Sequence, residues 1–358
     1  MPSSFITETY IDCVPEDWQS FVNSSDLYNI FQTNQWARAV LKAGMGTLLT
    51  MVKDGENHVK GGILGIYNRY SFLGVKMIPV VQVWGGPVIY DINDKHLSEV
   101  LMRAFEREAR KCAVVDSYIR SFFPLDDILV DRLNYALESY RLPCTLVIDL
   151  TKSKEELWKQ LEERGRRGIR KALKQGVIVE EGKTLEDFRT YYEISKSTAQ
   201  RLQTGPVSFR LMMALRENFS KNGNFKLFLA KHNGAAVAGV IIVKWRDRVW
   251  GWHGASLSRS WPLNANLLIH WNIIDWGVKN HLKSYDLMGI PCTNDSSRPK
   301  HGLYLFKTQL GGEIVRQGEY TKNYSHVKHF FLARIFRPIR SLFKKLNTRF
   351  SSVIGSEF

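Results

Sequence analysis

Two stretches far apart in the chain carry the same run of apolar and polar positions. In the first, Thr50-Met51-Val52-Lys53 leads through Asp54-Gly55 to Val59-Lys60-Gly61-Gly62-Ile63-Leu64-Gly65-Ile66. In the second, Leu229-Ala230-Lys231-His232 leads through Asn233-Gly234 to Ala236-Val237-Ala238-Gly239-Val240-Ile241-Ile242-Val243. Asp-Gly and Asn-Gly supply the positive φ angles of tight turns, so each stretch predicts a β-hairpin. Each hairpin is followed by a pattern that predicts one more strand (80–89 and 248–254), a helix (94–112 and 264–280) and a further strand (114–122 and 284–287). Asp91 or Asn93 caps the first of these helices, and Pro262 and Asn264 open the second. One element order used twice implies a duplicated α/β (α+β) unit, mixed sheets flanked by helices. The units span residues 1–145 and 146–325, and a tail covers 326–358.

Between the hairpins, Leu157, Leu161, Ile169 and Leu173 keep helical spacing, which predicts a helix over 157–175 with its charges on one exposed face. Gly165 and Gly168 weaken it by about 1 kcal/mol each relative to Ala. They also let a ligand or a partner helix approach the backbone. In the tail, Phe331, Ile335, Ile339, Leu342 and Leu346 share one sector of a helical wheel, with Arg334, Arg337, Arg340, Lys344 and Lys345 on the other. Pro338 kinks or splits this segment. Basic amphipathic helices of this kind suit an anionic membrane surface. The alternative is an apolar stripe packed on the protein's own core.

Charge sharpens the picture. The chain of 358 residues has 50 Lys and Arg against 35 Asp and Glu, a net +15. Residues 322–358 hold a net +7 and residues 152–176 a net +5, so the remainder is near neutral. Such concentration draws polyanions, whether RNA, phosphorylated substrates or anionic lipid, unless the charges merely solvate helix faces. Apolar residues at 44% and charged residues at 24% exclude wholesale disorder. No stretch approaches the roughly 18 apolar residues of a membrane-spanning helix, and the first residues lack the basic and then apolar regions of a secretory signal. Cys13, Cys112, Cys144 and Cys292 are far apart and form no C-x-x-C. That spacing fits a reducing cytosol and argues against a zinc ribbon or a disulfide scaffold.

The common catalytic signatures are missing: no G-x-S-x-G, no P-loop, no H-E-x-x-H and no G-x-G-x-x-G. Among the nine histidines, His232, His253, His270 and His281 read as structural residues, and no metal site is expected. The acetyl-CoA loop, Q/R-x-x-G-x-G/A after a strand, is absent as well. The nearest candidate, Arg166-Arg167-Gly168, follows a helical segment.

A series of motifs resembles the FemABX family. Thr145-Leu146-Val147-Ile148-Asp149-Leu150 precedes Trp158 and the run Arg166-Arg167-Gly168-Ile169-Arg170-Lys171-Ala172 with Gly176-Val177. Downstream lie Trp252-His253-Gly254-Ala255-Ser256 and Tyr285-Asp286-Leu287-Met288-Gly289-Ile290. Then come Gly302-Leu303, Phe306-Lys307, Leu310-Gly311-Gly312-Glu313 and Gly318-Glu319-Tyr320. In the first half, Phe31-Gln32-Thr33-Asn34-Gln35-Trp36 and Gly85-Gly86-Pro87-Val88 fit the same family, so the series covers residues 31–320 in order. The chain has no room between 176 and 225 for a coiled-coil arm and is similar to the compact members. It departs from the family at Gly85, where the usual pattern reads Arg-Gly-Pro.

The resemblance implies two GNAT-like domains in tandem followed by C-terminal basic amphipathic helices. It implies transfer of an amino acid from aminoacyl-tRNA, the co-substrate, to an amine on the stem peptide of a peptidoglycan precursor, lipid II or a UDP-linked form. No cofactor is implied. The expected setting is cytoplasmic, peripheral on the inner membrane face, in cell-wall biogenesis. The tail residues Phe331, Arg334, Ile335, Arg337, Arg340, Lys344 and Lys345 would make the membrane contact.

The ester donor is already activated, so positioning and charge stabilisation suffice. Lys307 is the candidate that stabilises negative charge on the intermediate or the leaving oxygen, its alternative being a strand-edge lysine. Glu319 orients the amine or relays a proton, or is an exposed strand acid. Asp286 holds the incoming ammonium, or caps a turn. Arg201 resembles the family arginine that contacts acceptor phosphate, or is a surface helix residue. Phe306, Trp36 and Trp252 are candidate substrate contacts, since tryptophans that are not core can stack on a base or sugar. Arg164, Arg166, Arg167, Arg170, Lys171 and Lys174 are candidates for the phosphates of tRNA or precursor. No RNA-binding module is present, so the acceptor end and backbone of the tRNA would be read. Two rival functions stand beside this one. One is a GNAT-like N-acyltransferase using acyl-CoA or an acyl carrier on a sugar or polysaccharide precursor. The other is a non-catalytic basic adaptor for RNA or membrane.

Overall fold

The computed structural model describes residues 5–68, 70–72, 75–133, 135–137, 144–297, 300–325 and 327. The expected amphipathic tail, with Phe331, Arg334, Ile335, Arg337, Arg340, Lys344 and Lys345, lies outside the described residues. In chain order the first lobe contains β1 (Ile6–Ile11), α1 (Glu16–Ser24), α2 (Asn34–Lys42), β2 (Gly46–Lys53), β3 (Val59–Tyr67), β4 (Tyr70–Phe72), β5 (Val75–Trp84), β6 (Val88–Ile89), α3 (Lys95–Lys111), β7 (Val114–Ser121), α4 (Asp127–Arg132) and β8 (Ala136–Leu137). There follow β9 (Cys144–Asp149), α5 (Lys154–Gln160), α6 (Glu163–Lys174), β10 (Ile178–Gly182), α7 (Leu185–Arg201), α8 (Phe209–Phe219), β11 (Phe225–His232), β12 (Ala235–Trp245), β13 (Arg248–Ser256), α9 (Ala265–Lys279), β14 (Ser284–Ile290), α10 (His301–Thr308), β15 (Glu313–Arg316) and β16 (Gly318–Asn323).

Both expected hairpins form, β2–β3 and β11–β12. At Asn233-Gly234 both turn residues take left-handed angles, φ 51° and 78°. At Asp54-Gly55 the positive φ falls instead on Asn57, and the Asp54 carboxylate holds the turn by accepting from the N–H groups of Glu56 and His58 at 3.0 and 2.9 Å. Helix α3 is capped one residue later than expected: the Asp94 side chain accepts from Leu97 N at 2.8 Å.

The expected helix over 157–175 is two helices, α5 and α6, broken at Leu161–Glu162, where the Glu162 N–H donates to Gln309 O at 3.2 Å. Leu157, Leu161 and Ile169 are buried as the spacing predicts, but Leu173 is exposed. The two glycines seat α6 between neighbours. A Cβ on Gly165 would overlap the Gln309 carbonyl oxygen, and one on Gly168 would lie 2.6 Å from Leu267 Cδ1 of α9.

The sheets run β1-β2-β3-β5-β7-β16-β8 and β10-β11-β12-β13-β14-β9-β15, with β4 on β5 and β6 on β3. In each, one parallel pair (β5–β7, β13–β14) sits among antiparallel neighbours. The slot beside the second parallel strand is filled from elsewhere in the chain. Strand β16, near the end of the described chain, pairs with β7 of the first sheet, and β9, which precedes every other strand of the second sheet, inserts between β14 and β15. The boundary expected at 325 therefore does not follow the sheets, because Gly318–Asn323 completes the first one. Strand propensity predicts a strand there but not the edge it joins.

A single apolar cluster joins the lobes. Ile30, Phe31, Trp36 and Val40 pack with Tyr191, Leu215, Ile241, Trp250 and Met288, and Trp84, Phe122 and Trp252 flank them. The Phe31 ring touches Trp84 and Trp250 at centroid distances of 6.1 and 5.9 Å, and Phe122 stacks on Trp250 at 6.3 Å.

Cys144 and Cys292 form a disulfide, with Cα atoms 5.2 Å apart, while Cys13 and Cys112 are free. This corrects the expectation of unpaired thiols and removes the cysteine spacing as support for a reducing compartment. A separation of 148 residues hides a neighbourhood that the β9–β14 ladder creates, since Cys144 pairs with Ile290. Among the described residues, no helix is long and apolar enough to cross a membrane.

Gly165→Ala is expected to lower the unfolding free energy in urea by about 1–3 kcal/mol, the cost of overpacking. Gly205→Ala, where an added Cβ meets nothing within 4 Å, should leave it unchanged or raise it by up to about 1 kcal/mol.

Candidate active site

The site starts from a defect in the second sheet. Strands β13 and β14 pair in parallel only from Arg248–Trp250 to Ser284–Asp286 and then part. On its other side β14 pairs with β9 at Asp286 and again at Gly289, while β9 advances only from Val147 to Thr145. Strand β14 thus carries one extra residue, a bulge with Met288 at φ 61°. A bulge removes backbone groups from the ladder, and buried carbonyls need other donors. Lys307 supplies them: its Nζ donates to the carbonyls of Leu287, Met288 and Gly289 at 2.6, 3.0 and 2.9 Å.

Lys307 lies in the last turn of α10 and is not a strand-edge residue. Burial draws its pKa down to about 7, Asp286 opposes that shift and Arg120 adds to it. Three carbonyls match the three N–H bonds that only the ammonium has, so the cage favours the charged form. Asp286 accepts from Met288 N at 2.6 Å and from the Thr145 hydroxyl. Burial raises its pKa, against the Thr145 and Met288 bonds and the charges of Lys307 and Arg120. His270 of α9 is held neutral, its pKa drawn to about 3 by burial and by Lys307, and its Nδ1 shares a proton with the Tyr285 hydroxyl at 2.8 Å.

The first lobe brings a second buried pair. Arg120 on β7 lies opposite Glu319 on β16 and Trp84 on β5. Its Nε donates to Glu319 Oε1 at 2.9 Å, a second bond runs from Nη2, and the guanidinium lies 5.3 Å from the Trp84 ring centroid. The Tyr118 hydroxyl donates to the same carboxylate oxygen at 2.8 Å. Residues paired across a ladder share a face, so Trp84, Arg120 and Glu319 form a row on one sheet. On the other, Trp250, Asp286, Val147 and Glu313 form a row. The Phe31 and Phe122 contacts bring the two rows together. Arg120, Glu319, Asp286 and Lys307 are 8, 2, 8 and 9% exposed.

Three sequence candidates, Lys307, Asp286 and Glu319, therefore meet at one buried centre. Glu319 is buried and bonded to Arg120 and Tyr118, so it anchors the guanidinium and is not the exposed strand acid of its alternative reading. Arg120, Tyr118 and Thr145 were missed by sequence reasoning. No motif marks them, and Arg120 becomes visible only through the β7–β16 pairing. Along the same face, a cavity of about 490 Å³ is lined by Val147, Asp149, Lys152, Gln160, Glu313 and the backbone of Gly311-Gly312.

The other candidates take varied positions, Phe306 against the centre itself. Trp36 is buried, edge-on to Phe31 and Trp252 at 4.9 and 6.1 Å, so it is core and corrects the expected substrate contact. Trp252 is half-buried in the lobe interface. Phe306 packs on His270 with centroids 5.7 Å apart. Arg201, the last residue of α7, donates to Ser258 Oγ and Ser256 O at 2.9 and 3.2 Å and stacks 4.9 Å from the Trp261 ring. On α6, Arg164, Arg167, Arg170, Lys171 and Lys174 are exposed. Arg166 is half-buried and donates to Lys159 O at 3.0 Å. Arg164 donates to Leu305 O of α10 at 3.0 Å, tying the basic helix to the one that carries Lys307.

Residues 160–297 match the family described as acetyltransferase (GNAT) domain. No curated protein sequence matches the chain. Among solved structures, the fold is similar to FemX, with a TM-score of 0.68 and 16% identity over 91% of this chain and 99% of that one. It is also similar to a tandem GNAT protein from the clavulanic acid biosynthesis pathway, at 0.57 and 9% over 90% and 99% of the two chains. A third is L-PGS from Bacillus licheniformis, at 0.53 and 13% over 90% and 96%. At these identities the likeness is one of fold. It bears out the tandem GNAT-like architecture and the resemblance to FemABX proteins at that level, and the domain match makes the chain an acyltransferase by class.

Lys307 gives a pH signature. Its folded pKa, about 7, lies below the ordinary 10.5. Between those values the unfolded chain holds the proton and the folded chain does not, so this group's contribution to stability rises with pH across the window. Below pH 7 both states are protonated and the cost of the buried charge is felt in full. Urea unfolding at pH 7 and 9.5 should show this rise in the wild type and a flatter profile in Lys307→Met.

Proposed function

We propose that the chain is an aminoacyltransferase, moving an amino acid from aminoacyl-tRNA to an amine on the stem peptide of a peptidoglycan precursor. The observation that carries this reading is the buried Lys307 ammonium beside Asp286, where two GNAT-like lobes meet. In the reaction the acceptor nitrogen bonds to the ester carbon, the C–O bond to ribose breaks, and the amine proton ends on the departing ribose oxygen. Negative charge develops on the carbonyl oxygen and then on the leaving oxygen. A fixed ammonium in a water-poor site stabilises both without reorganising. Burial makes the Asp286 carboxylate more basic, so in its ionised form it attracts the incoming ammonium and takes up one proton, which frees the amine to attack. The cavity with Asp149, Glu313 and Lys152 provides a polar wall for the peptide bearing that amine. The exposed cations of α6 suit the phosphates of the tRNA acceptor end, and Arg201 a phosphate of the precursor.

The loop between β13 and α9 favours an ester donor over acyl-CoA. It reads Leu257-Ser258-Arg259-Ser260-Trp261-Pro262-Leu263-Asn264. A diphosphate cradle at a helix N-terminus uses glycines to bring backbone N–H groups close, and this loop has none. A non-catalytic adaptor has no use for four buried ionisable groups, whose desolvation is costly. The basic segment from residue 326 onward would hold the enzyme on the anionic inner face of a membrane, where a lipid-linked precursor resides.

Purified protein given charged tRNA and a stem-peptide precursor should form the new amide, and ribonuclease should abolish it. Ribonuclease-insensitive turnover with acyl-CoA would replace this reading with the N-acyltransferase one. Lys307→Met is expected to lower kcat at least about 100-fold with an unchanged circular dichroism spectrum. Removing residues 326–358 should abolish pelleting with vesicles rich in phosphatidylglycerol, and equal pelleting of both forms rejects the membrane role of the tail.

A further inference from the structure

We propose that Arg120 is a positioning residue for the Lys307 centre, a fixed cation that the first lobe delivers across the interface and that makes the Lys307 amine respond to lobe docking. This rests on the reading of Lys307 as the charge-handling group of the transfer.

The geometry is particular. Arg120 is held from two sides, by the Glu319 carboxylate through two N–H bonds and by the face of Trp84, its ladder partners on β16 and β5. Glu319 is itself fixed by the Tyr118 hydroxyl at 2.8 Å. Two residues beyond Arg120 on the same chain, Phe122 stacks on Trp250, and Trp250 is the ladder partner of Asp286. The guanidinium thus faces the Asp286–Lys307 centre from the opposite sheet. Glu319 reaches β7 only because β16 crosses back to the first sheet, so the cation is in place only when the exchanged strand and the aromatic contacts are formed.

Lys307 has no carboxylate in direct contact among the described residues. Its bonds go to the three carbonyls of β14, and its charged neighbours are Asp286 on its own lobe and Arg120 across the interface. From α9 it is faced by His270, which is neutral, and from β14 by the Tyr285 hydroxyl bonded to that histidine. Glu319 acts on Lys307 only by way of Arg120. Each side of the interface holds one cation and one anion; burial is the main influence that lowers the Lys307 pKa, Asp286 works against it and Arg120 adds to it. With the lobes displaced, Asp286 is left as the nearer charge and Lys307 keeps its proton more tightly.

The test reads Lys307 directly, without substrate. Protein labelled with ¹⁵N-lysine is titrated by NMR, and the Nζ resonance is assigned by its loss in Lys307→Met. In Arg120→Gln/Glu319→Gln both partners of the first-lobe pair become neutral, and the Lys307 midpoint should move up by about one pH unit. In Glu319→Gln alone the guanidinium loses its counter-charge, and the midpoint should move down. Opposite signs in the two variants support the proposal. An unchanged midpoint in either folded variant, or movement in the same direction in both, overturns it. Should the double variant not fold, the sign in Glu319→Gln decides. Because the readout is a titration, absence of tRNA-dependent transfer would fall on the proposed reaction and leave this coupling standing or failing by itself.

Discussion

The first sheet is completed by a strand from the other half of the chain, and the second by the strand that opens its own half. Strand β16 crosses back to pair with β7, and β9, first in its half, slots between β14 and β15. Everything at the site depends on that exchange. A strand in a ladder cannot leave without exposing a row of backbone donors and acceptors, so β16 ties the lobes by hydrogen-bonded backbone. Phe31, Phe122, Trp84 and Trp250 then set how the two sheets face each other. Without β16, Arg120 has no Glu319, and a buried guanidinium without a partner is strongly unfavourable.

The second constraint is local. One extra residue in β14 takes the carbonyls around Met288 out of the ladder, and the Lys307 ammonium takes up all three. Burying an ammonium costs several kcal/mol, and three good acceptors offset part of it. The two irregularities therefore stabilise each other: the bulge is tolerable because of the lysine, and the lysine is tolerable because of the bulge. The outcome is a buried lysine that titrates near neutral pH beside a carboxyl, at the junction of two lobes where charge is weakly screened.

Much of the architecture was legible in the residues, because the relevant signals are local. Asn233-Gly234 specifies its turn through backbone angles alone, and apolar spacing placed α3 and α9 to within a residue or two. Gly165 and Gly168 were read as points of close approach, and they seat α6 against α10 and α9. Where local signals competed, the reading slipped. Leu173 fits the helical period yet sits at the exposed end of α6, and Asp94 won the cap over Asp91 and Asn93. Lys307, read as strand-edge in its alternative, is helical and buried, because its burial depends on a bulge 20 residues away in the chain.

What the sequence determined by itself is the set of pieces: two hairpin–strand–helix–strand units, a basic helix, and the residue types able to handle a proton and an oxyanion. Tertiary structure alone decided which strand enters which sheet, that Cys144 and Cys292 meet, that Trp36 is core, and that Arg120, marked by no motif, is buried against Glu319 at the junction of the lobes. The reason is physical. Turn angles and amphipathic periods are set within a few residues, whereas ladder partners, desolvation and the balance of buried charge are sums over segments brought together from both ends of the chain.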